Sequence, residues 1–216
     1  MLFILKAFIS LLIIVNPLDA LAGFFALSAD RPLEERRSIA RTAAMAMTVI
    51  LLVSVWLGEW VLMLFGISLG AFQVGGGLVV LLMAIAMLYA RSSALTQTTA
   101  ETDEAAGRDS IAIVPLAIPI MAGPGAISVA IHHAYHAGGV GARIVLSAVV
   151  LLVGYVIWMI LRKGETIQAF FGLTGINILR RVAGLILAAV GVQIIANGLV
   201  DLFPGLMGSG SVGHLD

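Results

Sequence analysis

The stretch Ala7-Phe-Ile-Ser-Leu-Leu-Ile-Ile-Val-Asn-Pro-Leu-Asp-Ala-Leu-Ala-Gly-Phe-Phe-Ala-Leu27 decides the fold. It is apolar almost throughout and holds one charged residue, Asp19. A helix crossing a hydrocarbon core of ~30 Å needs ~20 such residues. Lys6 ahead of an apolar run also has the look of a secretion signal, but this run is long for one and no small-residue cleavage pattern follows it. The run is therefore expected to stay as the first membrane span. Its centre reads Asn16-Pro17-Leu18-Asp19, a helix start: Asn16 suits the cap, Pro17 the first helical position and Asp19 the third. A start in mid-span implies that the first span is broken.

The rest of the chain is built in the same way. Of 216 residues, 61% are hydrophobic and 11% charged, with mean hydropathy +1.10. A soluble surface carries ~25% charged residues, so this chain lacks the charge to face water all round. Five further apolar stretches match the first: Thr42–Leu64, Ala71–Ala90, Ile111–Ile131, Ala142–Leu161 and Val182–Phe203. None alternates in polarity as barrel strands do, and helices satisfy their own backbone in lipid. The expected fold class is all-α, a polytopic bundle of six transmembrane helices.

Ten of the twelve basic residues fall in the connections after spans one, three and five, leaving Lys6 and Arg143 on the other side. By the positive-inside rule those connections are cytoplasmic and both termini outside. Residues 1–205 form a single transmembrane domain. Repeat one covers about 1–90, a polar linker 91–110, repeat two about 111–205, and a Gly/Ser-rich tail, 206–216, is expected to be disordered. A net charge of zero gives no reason to expect a nucleic-acid partner, and the absence of cysteine leaves no disulfide framework or thiolate metal site.

The two halves align at an offset of 107 residues. Asn16-Pro17 falls on Gly123-Pro124, Phe72 on Leu179, Gly77-Leu78 on Gly184-Leu185, and Ala84 on Gly191. Leu64-Phe-Gly-Ile-Ser68 falls on Phe170-Phe-Gly-Leu-Thr174 at an offset of 106. A repeat of three spans is odd, so the second copy is expected to be inverted relative to the first, as in many secondary transporters. Spans one and four then carry corresponding breaks, at Asn16-Pro17 and Gly123-Pro124-Gly125. Such paired breaks at mid-membrane point to a binding site, so Asn16, Pro17, Asp19, Gly123, Pro124 and Gly125 are the expected substrate-binding residues. The alternative is that both prolines merely kink packed helices, with Asp19 facing a watery crevice. Asn177, Arg181 and Gly184, at the entry to span six, are expected to gate or to pack, and snorkelling also accounts for Arg180 and Arg181.

Catalytic patterns are missing. There is no HExxH, paired intramembrane aspartate or phosphate-binding loop. Ser128 and His132 are four apart with no third partner, and His132 and His136, also four apart, have no adjacent carboxylate. No enzyme, cofactor or metal is expected.

Asn16-Pro17, the run Val114-Pro-Leu-Ala-Ile-Pro-Ile-Met-Ala-Gly-Pro-Gly-Ala-Ile-Ser128, and Thr174-Gly-Ile-Asn177 followed by Arg181 and Gly184 resemble the MarC family over residues 1–205. The resemblance implies a six-span inner-membrane protein grouped with transporters of small neutral amino acids. The chain departs from the family pattern at Asp19 and Ala22, where Gly and Pro are usual, and at Gln73, where Arg is usual. The expected function is a multi-pass inner-membrane secondary transporter of small solutes such as neutral amino acids, its partners a small-molecule substrate and the lipid bilayer. The alternative is a non-transporting scaffold or assembly factor.

Overall fold

The computed structural model describes residues 2–28, 31–89 and 121–207. Among them the fold is helical and contains no strand. In chain order the helices are α1 (Leu2–Val15), α2 (Pro17–Ser28), α3 (Leu33–Leu64), α4 (Leu69–Leu88), α5 (Pro124–Ala137), α6 (Gly139–Arg162) and α7 (Gly164–Leu202), followed by a 3-10 turn, Pro204–Met207. That turn reaches two residues into the expected tail. The rest of the tail, the linker 91–110 and residues 111–120 of the fourth expected span lie outside the described residues.

Five segments among the described residues are long and apolar enough to cross a membrane: Phe3–Phe25, Leu33–Leu64, Leu69–Leu88, Gly139–Arg162 and Thr174–Leu202. Two helices extend beyond the apolar stretches that announce them. Arg36, Arg37 and Arg41 belong to the first turns of α3 rather than to a loop, with Glu34 and Glu35 at its positive N-terminal end. Arg180 and Arg181 lie well inside α7, which runs back to Gly164 through a kink.

The kink is at Gly172, where φ is 63°; at Gly66, between α3 and α4, φ is 65°. Both need the left-handed region that glycine enters without steric cost. Ser68 then caps α4 by accepting the N–H of Ala71 at 3.2 Å.

The most extensive packing is α4 against α7. Gly70 faces Gly198, Gly77 faces Gly191, and Ala84 faces Gly184, so the helices run antiparallel with small residues every seventh position. Small residues let membrane helices approach closely, so that dispersion contacts and backbone packing replace the hydrophobic drive that lipid removes. A Cβ on Gly77 would fall 2.9 Å from the Gly191 carbonyl oxygen. On the other side α3 crosses α6 antiparallel: Glu59 meets Arg143, Trp56 meets Ser147, and Thr48 meets Gly154. Two further close fits tie the layers together, Ile131 of α5 over Gly58 of α3 and Phe25 of α2 over Gly164 at the start of α7. The buried core, with Leu11, Leu21, Met47, Leu51, Met121, Leu146 and Ile157 at its centre, lies among these helices, while Trp60, Phe65 and Phe170 face outward.

Candidate functional site

The first break is made by the backbone of Asn16. Its φ is 53°, the one positive value at a non-glycine position among the described residues. Asn tolerates the left-handed region better than most residues. Its N–H still donates to the Leu12 carbonyl at 3.2 Å, closing α1. Its own carbonyl accepts from Asp19 at 3.1 Å and Ala20 at 3.0 Å, opening α2. Pro17 has no N–H with which to continue the first ladder.

The Asn16 side chain does not take the capping role that its position in the sequence predicts. Its Nδ2 donates to Met87 Sδ at 2.9 Å, across to the end of α4, and the residue is buried. The left-handed backbone turns the side chain away from the start of α2 and into the bundle.

Beside the break lies a cavity of about 190 Å³. Ile13, Asn16, Pro17 and Leu18 form one wall, Ala183 and Ile186 of α7 the other. Asp19, in the first turn of α2, accepts from Arg180 Nη2 at 2.5 Å. The pair is not part of the cavity lining but lies on the two helices that form it, Arg180 three residues before Ala183 and Asp19 two after Pro17. The Asp19 side chain is 15% exposed and that of Arg180 23%, so both charges are largely withdrawn from water and each needs the other. The Arg180 Nε is buried without a partner. This site therefore offers an apolar pocket, a helix start and a compensated pair of opposite charges.

At the second expected break the described residues show a helix start, again with Pro at its first position, in a different environment. Gly123 is extended (φ −73°, ψ 174°), Pro124 takes the first position of α5, and Ile127 N–H returns to the Gly123 carbonyl at 3.1 Å. Gly123 and Gly125 are buried and Pro124 is exposed. Gly125 lies directly on Val80, where a Cβ would overlap the valine methyl, and Gly76 lies on Ser128, with Pro124 O also close. Gly123, Pro124 and Gly125 do not line the cavity at the first break. The structure thus joins Asn16, Pro17 and Asp19 to α7, and seats the second break tightly on α4.

Of the expected gating residues, Asn177 and Arg181 are exposed on α7, while Gly184 is buried against Met87 and the Ala84 carbonyl. Arg180, not Arg181, turns inward. Its pairing with Asp19 was the missing piece of the sequence reading; the available signal was one acidic and one basic residue inside apolar helices, which in a membrane seek each other. Two further polar side chains are fully covered: Gln73 Oε1 and Ser128 Oγ, both buried without a partner. Gln73 Nε2 donates to His132 Nδ1, so His132 is engaged with α4 rather than with Ser128. His133 is hydrogen-bonded to Ser10 Oγ at 2.7 Å.

A protein-family model described as MarC family integral membrane protein matches residues 1–203. The chain is 34% identical to the UPF0056 membrane protein YhcE of Escherichia coli (strain K12) over 202 residues, 94% of each chain. It is 35% identical to a UPF0056 membrane protein of Methanocaldococcus jannaschii over 197 residues, 91% of this chain and 96% of the relative, and 33% identical to one from Buchnera aphidicola over 203 residues, 94% of each. No solved structure matches. With its apolar helices and a family match along nearly its whole length, this chain belongs to the MarC family of integral membrane proteins.

Proposed function

We propose that this protein is a secondary transporter of small solutes such as neutral amino acids, built in the inner membrane from six spans as two inverted three-helix repeats, with both termini outside. The observation that carries the reading is the cavity of about 190 Å³ at the Asn16-Pro17 break, with the Asp19–Arg180 pair on the same two helices that line it. A zwitterion presents one carboxylate and one ammonium. Arg180 and the start of α2 complement the first, Asp19 the second, and the apolar walls accept a small side chain.

Packing pairs that map onto each other support the inverted repeat. At the offset of 107, the contact of Gly77 with Gly191 becomes that of Gly184 with Ala84. At 106, Ile131 over Gly58 becomes Phe25 over Gly164, and the left-handed Gly66 becomes the left-handed Gly172. Gln73 stands where the second half has Arg180. The environments of the two breaks differ, closed on α4 at Gly125 and open to a cavity on α7 at Pro17. That difference is what a carrier with one access closed and the other open requires. The test is uptake of labelled neutral amino acids by the purified protein in liposomes, with and without an imposed proton gradient. Uptake that is saturable and lost in Arg180→Ala is expected. No uptake of any labelled amino acid under either condition would overturn the reading.

A further inference from the structure

A second cavity, of about 440 Å³, lies outside the site just described, along the seam of α3 and α6. Its walls are apolar, from Thr48, Leu151, Gly154, Tyr155 and Trp158, and Arg41 stands at one end. The charges along this seam are unequal at its two ends. At one end Arg143 donates to Glu59 at 2.5 Å and Trp56 Nε1 to Ser147 Oγ at 3.0 Å. The same antiparallel register, carried through Thr48 and Gly154, sets Arg41 across from Arg162. Both helices thus carry an exposed arginine at this end, where the other end has an ion pair. The Arg162 guanidinium lies 5.2 Å above the Trp158 ring, on the wall of the groove. Of the carboxylates at this end, Glu165 accepts from Arg36 at 2.6 Å and Glu35 pairs with Arg31, while Arg37 and Lys163 add further positive charge.

We propose that this groove is a binding site for an anionic phospholipid, with one acyl chain lying between α3 and α6 and the phosphate between Arg41 and Arg162. The groove opens outward on a membrane protein, where hydrocarbon tails are the surrounding medium, so an acyl chain enters without crossing water. A tail alone would not distinguish lipids. The paired arginines do, because opposed positive charges at a membrane surface are relieved by a negative headgroup. Arginine suits the role, since its fork of donors matches phosphate oxygens.

The chain has three tryptophans, and Trp158 is the one on the groove wall. In a Trp56→Phe/Trp60→Phe background its fluorescence reports what fills the groove. The protein is reconstituted in phosphatidylcholine vesicles containing increasing amounts of either brominated phosphatidylglycerol or brominated phosphatidylcholine. If that background fails to fold, the same signal is the quenching that Trp158→Phe removes from the otherwise unaltered protein. Quenching is expected at a mole fraction of phosphatidylglycerol lower than of phosphatidylcholine by about fivefold per arginine, or ~25-fold for the pair. Arg41→Gln/Arg162→Gln is expected to bring the two lipids level, and Arg41→Lys/Arg162→Lys to keep much of the preference. Equal quenching by both lipids in the parent protein overturns the proposal, as does a preference that survives loss of both arginines. Quenching by neither lipid, in a protein that sediments as a dimer, also overturns it, since a second copy then covers the groove.

Discussion

Arg180 and Asp19 are 161 positions apart in sequence, yet the guanidinium of one donates to the carboxylate of the other at 2.5 Å across the start of α2. Both charges are largely withdrawn from water, so removing one leaves the other without its partner. Each single removal should therefore cost more than removing both. We expect Arg180→Ala to lower stability by about 1–3 kcal/mol and Asp19→Asn by a similar amount. Asp19→Asn/Arg180→Ala should lose clearly less than the sum, as coupled positions do. Unfolding midpoints in one detergent, compared across the four proteins of this cycle, check the expectation. Strict additivity would mean that the pair does not interact.

Asn16 is held in the left-handed region by the change of helix, and its side chain by Met87. Asn16→Gly keeps the backbone conformation and loses the side-chain bond. Asn16→Val loses both and adds a branched carbon where φ is positive. Thermal unfolding should rank wild type first, Gly next and Val last, with Val lower than Gly by about 1–3 kcal/mol. Met87→Leu, which keeps volume and removes the sulfur acceptor, should cost about 1 kcal/mol or less.

The fit of Gly125 on Val80 leaves no space for a methyl group. Gly125→Ala should destabilise the protein by about 1–3 kcal/mol through overpacking. Val80→Ala, by removing the colliding methyls, should restore most of that loss in the double variant while costing stability alone. A double variant no more stable than Gly125→Ala would show that the glycine is needed for another reason.

The α4–α7 seam makes a contrast within one helix. Gly77 sits against Gly191, and a side chain there would meet its carbonyl oxygen and Ile195. Gly75, two residues earlier, has open space where its Cβ would be. Gly77→Leu should force the helices apart and sharply reduce the folded, monodisperse yield from detergent. Gly75→Ala should change the unfolding free energy by no more than about 1 kcal/mol, with a gain expected from the helix preference of alanine over glycine. Size-exclusion profiles and melting curves separate the two cases.

Much of the architecture is legible in the sequence, because a bilayer imposes one strong rule: a helix that crosses it must be apolar for its whole width. The apolar runs at Thr42–Leu64 and Ala142–Leu161 mark all of α3 beyond its first turns and nearly all of α6. Their amphipathic extensions were harder to see. Arg36, Arg37 and Arg41 read as a loop by charge, but an acidic first turn and hydrogen bonding along the backbone make them helical. The entry to α7 was misread for the same reason: a kink at one glycine hides a continuous helix behind a break in hydropathy.

The sequence by itself determined that the chain is a bundle of membrane helices, that one helix stops and restarts at Asn16-Pro17, and that another begins at Gly123-Pro124. These are local matters, settled by hydropathy, a missing N–H and a tolerated backbone angle. Tertiary structure alone decided what each break meets. Asn16 looks like a cap until its left-handed φ turns the side chain toward Met87. Arg180 and Arg181 are neighbours of equal charge, and the rotation of α7 alone sends the first to Asp19 and the second outward. Gly125 and Pro17 are alike in local pattern, yet one is packed shut on Val80 and the other borders a cavity. Side-chain direction and helix register follow from the sum of many small contacts between distant segments, and no single stretch of sequence carries that sum.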